Sequence, residues 1–227
     1  MCGRFQSNVP KDTLARIFNA VPSIDVLTPR YNAAPTQMLP VVRYDPKASE
    51  RTVDLLRWGL VPHWAKDLKI GSGLINARVE TLASKPAFRE AFKARRCIVP
   101  AAGFYEWKRT REGTKQPYNI VPRDAPLFAF AGLWENWKNP ENGVWVRTFS
   151  IVTGKPNSLM ADIHNRMPVI LDEALWPAWL AETETTTAEL IKMVADPYPS
   201  QLMTAHRIST RVNNVRNDDA NLIAPLP

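Results

Sequence analysis

The 227-residue sequence predicts an α+β fold: a mostly antiparallel sheet, curled toward a barrel and surrounded by helices. Three observations predict it. Strand-like runs follow one another without a helix between each pair, which argues against a doubly wound parallel sheet. Twenty prolines suit many short strands joined by sharp connections. A 45% hydrophobic content in a chain of this length supplies the core of one large domain. No repeat, low-complexity tract or long linker divides residues 1–227.

The elements follow in order. Lys11–Val21 places Leu14, Ile17, Phe18 and Val21 at helical spacing behind the start signals Pro10 and Asp12. Strands are expected at Met38–Tyr44 and Val53–Leu60. A second helix is expected from Ser84 through Phe88 and Phe92 to Arg95-Arg96. Strands should then span Cys97–Trp107, Tyr118–Val121, Leu127–Trp134, Val144–Thr153 and Met167–Leu171. Helices at Glu173–Ala181 and Thr187–Ala195 and a strand at Met203–Ile208 complete the pattern.

Charge and cysteine content narrow the partners and the compartment. Lys and Arg outnumber Asp and Glu by 29 to 22, a net charge of +7 that favours a polyanion, nucleic acid ahead of an anionic membrane. A basic enzyme with no such partner has the same balance. Two cysteines, Cys2 and Cys97, make no disulfide framework and imply a reducing compartment. Arg4, Lys11 and Arg16 interrupt any signal-peptide core, and the longest apolar run, Leu127–Trp134, is eight residues, too short to span a bilayer. A cytoplasmic, nucleoid-associated monomer is expected, with no metal and no cofactor.

The second residue is the most reactive feature. Loss of Met1 would leave Cys2 with a free α-amine beside its thiol, and such a 1,2-aminothiol condenses with an aldehyde to an imine and then closes a thiazolidine ring. An α-amine of pKa about 7.9 is roughly 10% neutral at pH 7, against about 0.04% for a lysine.

Other polar residues sit where the sequence is apolar. Glu106 lies among Phe104, Tyr105 and Trp107, where desolvation would raise its pKa and fit it for proton transfer; the alternative is a strand-end carboxylate facing solvent. His164, one of three histidines, precedes Asn165-Arg166-Met167-Pro168 and is either catalytic or structural. Asn76, Arg78 and Glu80 would share one face of an extended segment, or form a solvated strand face. Trp58 and Trp64 flank Gly59 and Pro62 as a rigid aromatic loop, either a stacking surface for bases or a core pair.

These segments together resemble the SOS-response-associated peptidase (SRAP) family. The matching stretches are Met1–Phe5, Arg30–Pro35, Trp58–Pro62 with Trp64, Asn76–Thr81, Arg96–Pro100, Gly103–Trp107, Ile163–Pro168 and Val212–Val215. The resemblance implies covalent capture of abasic sites in single-stranded DNA. Cys2 would attack the aldehyde, Glu106 would shuttle protons, and His164 would open the sugar ring or assist strand cleavage. Asn76 would fix the attack angle. Arg4, Arg78 and Arg166 would hold flanking phosphates, with Asn32 and Thr153 adding neutral hydrogen bonds. Trp64 and Pro35 would block a continuing duplex, and Lys85 would add a DNA contact. The family name further implies self-cleavage that releases Met1. Cys97 is read as core packing. Two rival readings stay open: an N-terminal-nucleophile amidohydrolase using the same Cys2, and a non-covalent single-strand-binding module.

Overall fold

The computed structural model describes residues 2–226. Its strands are β1 (Phe5–Ser7), β2 (Ala20–Pro22), β3 (Arg30–Ala33), β4 (Met38–Asp45), β5 (Glu50–Trp58), β6 (Asn76–Arg78), β7 (Arg96–Ala101), β8 (Gly103–Arg109), β9 (Lys115–Pro122), β10 (Phe128–Lys138), β11 (Trp145–Gly154), β12 (Met167–Pro168) and β13 (Met203–Arg207). The helices are α1 (Lys11–Phe18), α2 (Arg89–Ala94), α3 (Ser158–Ala161), α4 (Trp176–Leu180) and α5 (Thr187–Met193).

The larger sheet closes on itself. Antiparallel pairing runs β5–β4–β7–β10–β11, and a parallel contact of Thr148 and Phe149 with Arg57 and Trp58 joins β11 back to β5. The α+β barrel-like fold expected from the sequence is the one observed. A smaller sheet, ordered β13–β9–β8–β1–β3, packs its apolar face against the barrel. Phe5 and Phe104 from that sheet meet Trp58 and Phe130 of the larger one, with ring centroids 5.1–6.2 Å apart. On its other face the larger sheet is covered by α1, α2, α4 and α5, through Phe18, Phe92, Trp176, Trp179 and Leu190. β7 is buried at all six positions because both of its faces are covered. Among the described residues no helix is long and apolar enough to cross a membrane.

Most expected elements shift their bounds by a few residues. The strand expected over Met167–Leu171 keeps only Met167–Pro168, and the helix expected over Glu173–Ala181 is a 3₁₀ turn, Glu173–Leu175, leading into α4. Three further changes have a clear local cause. The first helix stops at Phe18, where Asn19 takes a left-handed conformation (φ 46°) and receives the chain end. Val21 then joins β2, parallel to β5. The second helix begins only at Arg89 and ends at Ala94; the buried Arg96 guanidinium donates to the carbonyls of Phe92, Lys93 and Trp179, tying α2 to α4. The single strand expected over Cys97–Trp107 is two strands in different sheets, broken at Ala102. A Cβ on Gly103 would lie 2.6 Å from Gln6 Nε2 and 2.8 Å from Ile120 O, so the crossing requires glycine there.

Candidate active site

β11 organises the site by its two edges. At its far end Thr153 pairs with Arg78 of β6 on one side and Pro168 of β12 on the other. The segments Asn76–Arg78 and His164–Pro168 therefore converge although about ninety residues separate them. The smaller sheet supplies the rest. β1 lies between β3 and β8, with Phe5 opposite both Ala33 and Phe104, and Tyr105 N donates to Arg4 O (3.1 Å). The chain leading into β1 thus runs beside Glu106.

Cys2 is fully buried there. Its carbonyl accepts from Asn76 Nδ2 (2.9 Å), and its thiol leans on Arg4 O (3.9 Å). Burial, and then the Glu106 carboxylate, push the Cys2 thiol well above its ordinary range. Glu106 is 2% exposed, and burial pushes its carboxyl up to about 7. That excludes the solvent-facing alternative for this residue. His164 is half-buried; burial, helped by the cations of Arg166 and Lys115, lowers its pKa. Glu106 and His164 line one pocket of about 420 Å³ with Trp107, Lys115 and Asn213. Cys2 and Asn76 are not among the residues that line it: Cys2 lies beside the pocket wall at Glu106, and Asn76 holds the Cys2 carbonyl.

The residues expected along a DNA strand separate into two groups. Arg78 and Lys85 are exposed, Trp64 is 51% exposed, and Pro35 is half-buried. Trp64 sits on a loop fixed beneath by Trp137 Nε1 donating to Ala65 O (2.7 Å). Trp58, by contrast, is core, its Nε1 spent on Ile75 O (2.9 Å). Pro35, Trp64 and Lys85 do not line the pocket.

The second group is inside. Asn32 is fully buried, its Nδ2 donating to the carbonyls of Val212, Asn214 and Asn217. Thr153 is also buried. Neither reaches the surface where a strand would pass. Arg4 spends Nη1 on Asn32 Oδ1 (3.0 Å) and Val212 O (2.9 Å). Arg166 grips the Glu80 carboxylate through both terminal nitrogens (2.6 and 3.0 Å) and also donates to Thr153 O (2.5 Å). Glu80 does not share a face with Asn76 and Arg78, because the chain leaves β6 at Arg78 and turns through a 3₁₀ segment, Val79–Thr81.

Sequence reasoning passed over the residues of the closing segment. Asp218 accepts from the amides of Tyr31 and Asn32 and pairs with Arg30. Asn213 accepts from Trp107 Nε1 (2.7 Å) and walls the pocket. Its only signal was a place in the Val212–Val215 stretch. Lys115 follows a glycine turn and carried none.

Comparison with known proteins identifies the family of the chain. The family model described as SOS response associated peptidase (SRAP) matches residues 1–215. The chain is 43% identical over 229 positions to abasic site processing protein YoqW of Bacillus subtilis, covering 98% of this chain and 99% of that one. It is 32% identical over 274 positions to abasic site processing protein HMCES of Pongo abelii, covering 100% of this chain and 76% of that one. A crystal structure of a protein from Bacteroides thetaiotaomicron superimposes with a TM-score of 0.90 at 26% identity, with 100% of both chains covered. With the fold, the converging segments and this full-length similarity in agreement, the chain belongs to the SOS response associated peptidase family.

Proposed function

We propose that this protein acts on abasic sites in single-stranded DNA during the response to DNA damage, capturing the open-chain aldehyde on Cys2 as a thiazolidine after Met1 is removed. The observation that carries the proposal is the burial of Cys2 against Glu106 and Asn76, beside a pocket shared with His164. The names of the relatives, abasic site processing proteins, support the substrate.

The chemistry follows from the states of these groups. The neutral α-amine adds to the aldehyde carbon to give a carbinolamine; loss of its hydroxyl as water leaves the imine. The Cys2 sulfur then adds to the same carbon, its proton leaves, and the imine nitrogen gains one. Because burial holds the thiol in its protonated form, a base must take that proton, and in this reading the Glu106 carboxylate beside it does so. With a pKa of about 7, Glu106 is also a competent acid for loss of water. Holding amine and thiol over one carbon makes closure intramolecular, where effective molarities reach about 10⁵ M. His164 donates to the sugar oxygen as the ring opens, or assists elimination at the 3′ side. Asn76 anchors the Cys2 carbonyl and so the direction of attack. Arg78 and Lys85 are exposed cations for flanking phosphates, and Trp64 with Pro35 ends a duplex. Asn32 and Thr153 support this path from within. Removal of Met1 by the same site gives the family's peptidase name its meaning.

A single-stranded oligonucleotide with one abasic site should give an adduct that survives a denaturing gel. Cys2→Ala should abolish it; an equal yield from that variant would overturn the proposal. Cys2→Ser keeps the amine without the ring-closing sulfur, so its product should require borohydride to persist.

A further inference from the structure

The carboxylate of Glu80 is spent on Arg166, outside the four residues assigned to the reaction, and Arg166 is joined to His164 by its main chain. We infer that Glu80, acting through Arg166, selects which ring nitrogen of His164 carries the proton. The inference rests on the role proposed above for His164.

His164 Nδ1 lies 3.0 Å from the Arg166 N–H and 3.2 Å from the Arg166 carbonyl oxygen. The two partners demand opposite tautomers. Accepting from the N–H requires a bare Nδ1 and places the proton on Nε2, making the ring a donor. Donating to the carbonyl requires the proton on Nδ1 and leaves Nε2 a base. With two partners so nearly equidistant, a small rotation about the backbone bonds at the Arg166 Cα exchanges one for the other.

The side chain of the same residue opposes that rotation. Its guanidinium is 15% exposed and held on two sides, by the bidentate grip of Glu80 and by Thr153 O. Thr153 is itself fixed in β11 between Arg78 and Pro168. Glu80 stands on the turn that closes β6, so the brace spans the two segments that build the site. Bidentate arginine–carboxylate pairs are rigid as well as strong. Burial disfavours the doubly protonated ring, which leaves the choice to the two neutral forms. Of the two contacts the shorter is the N–H, which leaves His164 the donor that opening of a sugar hemiacetal needs. Glu106 and Lys115 line the same pocket as His164.

The test uses the full-length protein without DNA. Ring-nitrogen correlation spectra, assigned by loss of signals in His164→Gln, should show a bare Nδ1 and a protonated Nε2 in the parent. Glu80→Gln and Glu80→Ala should move both nitrogens toward a mixture of tautomers. With single-stranded abasic oligonucleotide, the same variants should lower the adduct-forming rate at saturation about tenfold to hundredfold, leaving the half-saturating concentration unchanged. Unchanged ring spectra in both Glu80 variants would overturn the inference. So would a raised half-saturating concentration with an intact maximal rate, which would place Arg166 on a phosphate instead. Should the parent form no adduct, the proposed function falls, and the spectra alone still decide whether Glu80 sets the tautomer.

Discussion

Glu106 shows how one buried group couples protonation to stability. Its carboxyl has a pKa of about 7 in the folded protein against an ordinary 4.5, so the folded state holds a proton that the unfolded chain has released. Stability is therefore lost as pH rises from about 4.5 to 7, by about 3 kcal/mol in all, and is level above that. Glu106→Gln lacks this loss, so its stability relative to the parent should climb between pH 5 and pH 8. Urea denaturation at both pH values measures it, and parallel pH curves for the two proteins would contradict the burial mechanism. The same residue was legible in sequence because a carboxylate among three aromatics has few exposed places to go. Asn32 was not legible in that way. Its surroundings are carbonyls from residues 212–217, and nothing near position 32 announces them.

At the scale of elements, apolar periodicity located most strands and misjudged where they end. The run from Cys97 to Trp107 is buried almost throughout, so alternation that would mark a change of sheet is absent; only Gly103 betrays it. Val21 continues the helical pattern of α1, yet Asn19 has already ended the helix. The short strands β1, β2 and β3 owe their pairing to partners far along the chain and have no local pattern to show. Packing between β7 and β10 offers a sharper test of this scale. A Cβ on Gly132 would lie 2.7 Å from Cys97 Sγ and 3.1 Å from Val99 Cγ2. Gly132→Ala should cost about 1–3 kcal/mol. Adding Cys97→Ala should recover part of that cost, with a coupling of about 1 kcal/mol in a double-mutant cycle. Strictly additive losses on thermal or urea denaturation would show that the sulfur is not the obstacle.

For the whole molecule, the +7 charge matters through where its cations are free. Arg43, Arg51, Arg95, Arg96 and Arg166 are spent on carboxylates or carbonyls inside the fold. Net charge read from sequence therefore overstates the binding surface, and Arg78, exposed at the end of β6, counts for more than its share. In a Cys2→Ala background, chosen to remove the proposed covalent capture, Arg78→Glu should weaken binding of a single-stranded oligonucleotide. It should also lower the slope of log affinity against log salt by about 0.7. An unaltered slope would take Arg78 off the phosphate path.

Residues far apart along the chain meet at the pocket and beside it. Cys2 stands at the start, while Asn213, locked to Trp107, belongs to the closing segment that Arg4, Asn32 and Asp218 fasten down. During synthesis Cys2 leaves the ribosome long before Asn213 can wall the pocket beside it. A nascent chain halted before residue 209 would carry the Cys2 sulfhydryl next to an unfinished cleft, and the enclosure that the proposed reaction needs is complete only once residues 212–218 have emerged.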